Sequence, residues 1–265
     1  MNATKRKGEF SYMKKNLLKE KLDKKQRVMG CNISVCAPSL VEILALCGFD
    51  FVFIDCEHAS LDGTECEHLI RTAELYNITP LLRVPVNQPE LMIRYMDSGA
   101  QGIVTPGIHT KEDAENAVKA VRYYPQGMRG LSPSRASDYG LSMPMSEYCA
   151  YANSQMLLLP TMEHIDTVNN LEEILKTDGL DGVLFGTSDL SQSLGVPGQN
   201  NHPDVLAAVE KARQACLRSG KPFGSVVRAG ETPEDYYGKG YLSVMTSIPP
   251  LLSKSAKELI AYRDK

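Results

Sequence analysis

The chain has 265 residues, 43% hydrophobic and 23% charged, which excludes disorder as the main state and suits one α/β barrel of about 250 residues or two small domains. Its 29 Lys and Arg against 32 Asp and Glu leave a formal charge of −3, so no global positive field exists to hold a phosphate backbone, and no nucleic acid partner is expected. No stretch approaches the roughly 20 apolar residues of a membrane helix, and the basic N-terminus (Lys5, Arg6, Lys7) is not followed by an apolar signal core, so the sequence predicts a cytoplasmic protein with no membrane partner.

Residues 1–14 are polar and aperiodic and read as a flexible extension, with a single domain over 15–265. From Val28 onward, short apolar runs alternate with longer amphipathic segments, the pattern of βα units on a parallel sheet. The runs are Val28–Ser34, Phe51–Asp55, Pro80–Val84, Gly102–Thr105, Met156–Pro160, Gly182–Phe185, Phe223–Val227 and Leu242–Met245. Helical patterns fall at 39–48, 64–76, 88–98, 110–123, 166–176, 203–219, 232–239 and 250–262, with start signals at Ser39, Thr110 and Asp166 and Pro203 in a first turn. Eight such units predict a closed (β/α)8 barrel. The stretch from Pro125 to Asn153 carries Gly127, Gly130, Pro133, Gly140 and Pro144 and reads as a long loop over one end of the barrel. Seven cysteines without CxxC spacing read as small buried hydrophobes rather than a disulfide framework.

In such a barrel the reacting groups follow the C-terminal ends of strands. Asp55-Cys56-Glu57-His58, Arg83, Glu163 and Asp189 occupy such places. Glu163 and Asp189, two carboxylates without His or Cys at metal spacing, suit a hard cation such as Mg²⁺ or Mn²⁺; alternatively Asp189 caps the next helix and Glu163 is an exposed loop acid. His58 suits proton transfer near neutral pH, or is a histidine packed at the rim. Arg83 needs an acceptor, either a substrate carboxylate, carbonyl or enolate oxygen, or Asp55 or Glu57. His68, His109, His164 and His202 show no pairing at metal spacing, and no GxGxxG, P-loop or G-x-S-x-G pattern occurs.

The segments FVFIDCEHASLD, PLLRVPVNQPELMIRYMDSGAQGIVTPGIHTKEDAENAVKAVRYYPQGMRG and LLLPTMEHIDTVNNLEEILKTDGLDGVLFGTSDLSQSLG resemble the HpcH/HpaI family of class II pyruvate aldolases, from about Asn16 to the C-terminus. The resemblance implies a barrel lyase that reversibly cleaves a 4-hydroxy-2-oxo acid to pyruvate and an aldehyde, using a divalent ion (Mg²⁺, Mn²⁺ or Co²⁺) and no lysine Schiff base. It implies that Glu163 and Asp189 ligate the ion, that Arg83 stabilises the enolate, and that His58, through a water, takes the proton of the C4 hydroxyl. Asp97 matches the family's acid that orients this histidine, often from a neighbouring subunit. Backbone amides near Gly186 and Ser188 would suit the pyruvate carboxylate, since helix N-termini attract anions. The resemblance also implies a homo-oligomer, commonly a hexamer exchanging a C-terminal helix, and the segment 249–262 is amphipathic.

Thr161 stands where the family usually has Gln touching substrate or a metal-bound water, and MTSIPPLL replaces a V-G-S-D-like sequence. Two alternatives stay open at the level of sequence: another metal-enolate carbon–carbon lyase or decarboxylase acting on oxaloacetate or a CoA thioester, and a non-catalytic barrel that binds an oxo acid.

Overall fold

A computed structural model describes residues 15–263, so the extension expected at 1–14 lies outside the described residues. Among them, each of the eight apolar runs forms a strand: β1 (Val28–Ile33), β2 (Phe51–Asp55), β3 (Thr79–Arg83), β4 (Gly102–Thr105), β5 (Leu157–Met162), β6 (Val183–Phe185), β7 (Phe223–Val226) and β8 (Ser243–Ser247). All are parallel, and they close in chain order with β8 against β1. The (β/α)8 barrel expected from the alternation is therefore what the chain forms. The helices are α1 (Leu17–Asp23), α2 (Pro38–Leu46), α3 (Gly63–Leu75), α4 (Pro89–Asp97), α5 (Lys111–Val121), α6 (Met145–Gln155), α7 (Ile165–Ile174), α8 (Thr187–Ser193), α9 (Pro203–Ser219), α10 (Pro233–Tyr237) and α11 (Ile248–Ile260). None is long and apolar enough to cross a membrane.

Period-two alternation sorts the strand residues. Phe51, Phe53, Leu81, Leu157, Leu159 and Leu184 fill the barrel interior, while Val52, Ile54, Leu82, Ile103 and Leu158 pack outward under the helices. Gly30 makes the interior possible: a Cβ there would fall 2.1 Å from the Phe51 ring. Strand β5 runs two residues past its expected end at Pro160. The proline sits where pairing with β4 stops and pairing with β6 begins, so it does not terminate the strand.

Helix α1, not anticipated, closes the N-terminal end of the barrel. Leu18 and Leu22 join the interior cluster, and buried Asn16 caps the helix by accepting the Lys19 N–H at 3.0 Å. Its Nδ2 donates to the carbonyls of Gln101 and Gln155, both at 2.8 Å. The long loop expected over Pro125–Asn153 holds a 3₁₀ segment (Arg135–Gly140) and most of α6. It lies at this same end, because Arg135 bonds Glu74 and the Ser98 carbonyl at the C-terminal ends of α3 and α4. It is therefore no lid over the strand C-termini. No cysteine is in a disulfide, as expected, and Cys31, Cys56, Cys66 and Cys216 are buried; Cys36 and Cys47 are exposed, against expectation.

Candidate active site

Strand register decides which groups meet. Asp55 and Arg83 end neighbouring strands and are direct partners in the ladder, so their side chains leave the barrel on the same face. Arg83 Nε donates to Asp55 Oδ1 at 3.0 Å and Nη2 to Oδ2 at 2.6 Å. Its Nη1 pairs with Glu57 Oε2 at 3.1 Å. Of the acceptors left open for this arginine, the intramolecular ones, Asp55 and Glu57, are in place. A guanidinium has five N–H groups; two are hydrogen-bonded to Asp55, and Nη1 faces Glu57 Oε2 without hydrogen-bonding it. Asp55 also accepts the amides of Glu57 and His58, at 3.1 and 3.3 Å, and Asn32 Nδ2 at 3.3 Å. One buried carboxylate therefore fixes both the arginine and the loop that carries His58.

His58 is 57% exposed, with Nε2 3.9 Å from Glu57 Oε2 and 4.0 Å from Asp189 Oδ2. Glu163 follows β5 and Asp189 lies in the first turn of α8. Asp189 is not the cap of that helix: its N-cap is Gly186, and no side chain caps it. Nor is Glu163 an exposed loop acid, since burial pushes its carboxyl above the usual range. The charge of Asp189 pushes it further, against the Thr161 hydroxyl and Arg83, which lower it. Burial also raises Glu57, with Arg83 opposing and Glu163 adding to the shift. For Asp55 burial acts upward too, but the hydrogen bonds and charge of Arg83 outweigh it and hold the group below the usual carboxylate range.

These groups border a cavity of about 800 Å³ at the C-terminal mouth, lined among others by Glu57, His58, Glu163 and Asp189. Gly186 backs Glu163: a Cβ there would come within 3.0 Å of Glu163 Cβ and 3.2 Å of its Oε2. Its own amide does not serve an anion as expected, because it donates to the Met162 carbonyl at 3.0 Å in continuing the β5–β6 pairing. Ser188 lies in the first turn of α8, where amides have no intrahelical partner. Thr161 is buried beside Glu163, its Oγ1 also lying 3.4 Å from the Thr105 carbonyl.

Asp97 is not brought to this site within the chain. It ends α4, antiparallel to the strands, and so lies at the N-terminal end, where Arg129 Nη2 donates to it at 2.7 Å. The cavity also includes His109 and His164, dismissed in the sequence for lack of metal spacing. Proximity to a strand end was the available signal: His164 directly follows Glu163, whereas His109 lies four residues beyond β4 and is brought in by its loop.

A half-buried Glu163 whose carboxyl is raised in part by the charge of Asp189, with no side chain at Gly186 to fill the space beside it, fits a hard divalent cation held by the two carboxylates. No cluster of three or more His, Cys, Asp or Glu able to hold a metal occurs among the described residues, so the remaining positions would fall to water and substrate oxygens.

A family model described as HpcH/HpaI aldolase/citrate lyase matches residues 29–248. A hydroxypyruvate/pyruvate aldolase from Cupriavidus necator is 32% identical over 248 residues, covering 93% of this chain and 91% of the relative. A 5-keto-4-deoxy-D-glucarate aldolase from Shigella dysenteriae is 33% identical over 247 residues, 93% of this chain and 95% of the relative. A solved HpcH/HpaI aldolase/citrate lyase family protein from Burkholderia cenocepacia superposes with a TM-score of 0.86 at 32% identity, over 94% of this chain and 99% of the other.

Proposed function

Since the chain belongs to the HpcH/HpaI aldolase/citrate lyase family and is a carbon–carbon lyase of the aldolase type, we propose that it reversibly cleaves a 4-hydroxy-2-oxo acid to pyruvate and an aldehyde at the cavity of Glu163 and Asp189. The observation that carries this reading is the convergence of Arg83, His58 and the two carboxylates at one mouth, with Arg83 locked by two hydrogen bonds to Asp55, paired in charge with Glu57, and still holding N–H groups that neither carboxylate takes.

Glu163 and Asp189 would hold a divalent cation such as Mg²⁺, Mn²⁺ or Co²⁺, which when bound polarises the keto group as a Lewis acid. His58, through a water, accepts the C4 hydroxyl proton as the C3–C4 bond breaks. The bonding pair moves to C2–C3 and the charge to the C2 oxygen, where the remaining N–H groups of Arg83 stabilise it. The aldehyde leaves, and returning a proton to C3 gives pyruvate. Ser188 supplies a first-turn amide for the pyruvate carboxylate. Thr161, too short to reach as far as glutamine, supports Glu163. Asp97 reaches a histidine only if presented to a neighbouring subunit, which fits a homo-oligomer. So does α11, which buries none of its residues and exposes Leu251, Leu252, Leu259 and Ile260.

The test is exchange of the pyruvate methyl protons with deuterated water, followed by NMR. Exchange that requires Mg²⁺ or Mn²⁺, stops with a chelator and falls at least about 100-fold in Glu163→Gln supports the mechanism. Absence of exchange with any metal refutes it.

A further inference from the structure

The aldehyde half of the cavity has its own chemistry. Four residues lining the cavity as a whole are carboxylates, Glu57 and Asp113 beside the Glu163 and Asp189 that would hold the cation, and no lysine or arginine lines it among the described residues. Asp113 is held in place by the amides of His109 and Thr110, at 3.0 and 2.8 Å. The nearby guanidinium of Arg83 is mostly spent on Asp55 and Glu57. Even with a divalent cation in place, a second carboxylate on the substrate would meet like charge without a cation to pair with.

Two imidazoles stand across the same cavity. His109 and His164 meet edge to face with ring centroids 4.8 Å apart. Thr167 has one hydroxyl proton, and it goes to the Ile108 carbonyl at 2.8 Å. Thr167 Oγ1 can therefore only accept from His109 Nδ1, 3.3 Å away, which leaves His109 Nε2 as an acceptor. His164 is the reverse case. Its Nδ1 accepts the Asp166 N–H at 3.2 Å in capping α7, so Nε2 carries the proton and donates. One acceptor and one donor side by side match a hydroxyl, which accepts and donates at once. Pro85, Val86 and Pro106 supply apolar wall for a short carbon chain.

On the aldolase reading above, we infer that the aldehyde partner is a short uncharged hydroxyaldehyde, held through its hydroxyl by His109 and His164. These two histidines set aldehyde specificity and take no part in enolate formation.

The experiment measures kcat/KM for aldol addition of pyruvate, with Mn²⁺, to glyceraldehyde, to propanal and to succinic semialdehyde, beside the methyl-exchange assay. Glyceraldehyde should exceed both others by at least about tenfold, because a site built to bond a hydroxyl discriminates against its absence. His109→Asn and His164→Asn each keep a polar atom near the position of Nδ1 and lose Nε2. Each should lower the glyceraldehyde to propanal ratio about tenfold. The ratio is taken on one preparation, so loss of folded protein cancels. Absent exchange refutes the aldolase reading itself. Exchange combined with preference for succinic semialdehyde, with no addition to any of the three, or with an unchanged ratio in both variants overturns the inference.

Discussion

Replacing Asp55 by asparagine removes one charge and almost none of the side chain's volume. The buried carboxylate accepts five hydrogen bonds: Oδ1 from Arg83 Nε and the amides of Glu57 and His58, Oδ2 from Arg83 Nη2 and Asn32 Nδ2. An amide can keep one of these oxygens. With its NH₂ at the Oδ2 position it faces two donors, and at the Oδ1 position three, so it settles in the first arrangement and strands Arg83 Nη2. Breaking one side of a buried pair costs about 3–5 kcal/mol, which for a chain of this size lowers Tm by about 6–20 °C. The sign with pH follows from the depressed carboxyl of Asp55. Its stabilisation is present above the unfolded value near about 4 and is lost as pH falls through the lower folded value. Urea denaturation of both proteins at neutral pH and in acid therefore shows the widest gap at neutral pH and a narrowing gap below about pH 4. A gap under about 1 kcal/mol at neutral pH, or one that widens on acidification, refutes the assignment of Asp55 as the anchor of Arg83.

Gly186→Ala tests the space beside Glu163. The backbone there, φ −106° and ψ 87°, accepts any residue, so the added methyl acts by pressing on the Glu163 side chain; calorimetry should show Mn²⁺ affinity down about tenfold. Arg122→Met removes donors to the carbonyls of Asn153, Met156 and Gly179 and to Asp181. It should destabilise the fold by about 3–5 kcal/mol in denaturant while the folded fraction retains kcat, because this network lies at the end away from the cavity. Leu252→Glu with Leu259→Glu places charge on exposed α11; sedimentation should show dissociation of an oligomer, and a monomeric unsubstituted protein refutes that use of the helix.

The barrel was legible because its signal is repeated: eight apolar runs at strand length, each followed by a helical period. What escaped lacked that repetition. Helix α1 has seven residues, too few to display a period, and its register depends on Asn16 reaching Gln101 and Gln155 far along the chain. Helix α6, between Pro144 and β5, buries only Tyr148 and Ala152 and shows little apolar stripe. Strand ends pointed to Arg83, His58, Glu163 and Asp189 because a carboxylate or guanidinium stands out after an apolar run. They could not reveal that the Gly186 amide is taken by Met162, since that depends on pairing between β5 and β6. The pairing of His109 with His164 likewise arises from two loops coming together, and separation in sequence carries no trace of it.

Leu18 and Leu22 stop the barrel from below, and this has a kinetic meaning. With that end blocked, entry and exit share the mouth. Arg83, only 11% exposed, sits deeper than His58, so on the proposed mechanism the fragment held by the arginine must wait for the fragment above it. Cleavage should release the aldehyde first and pyruvate second, and the reverse reaction should bind them in the opposite order. Pyruvate would then inhibit competitively against the hydroxy-oxo acid and the aldehyde noncompetitively.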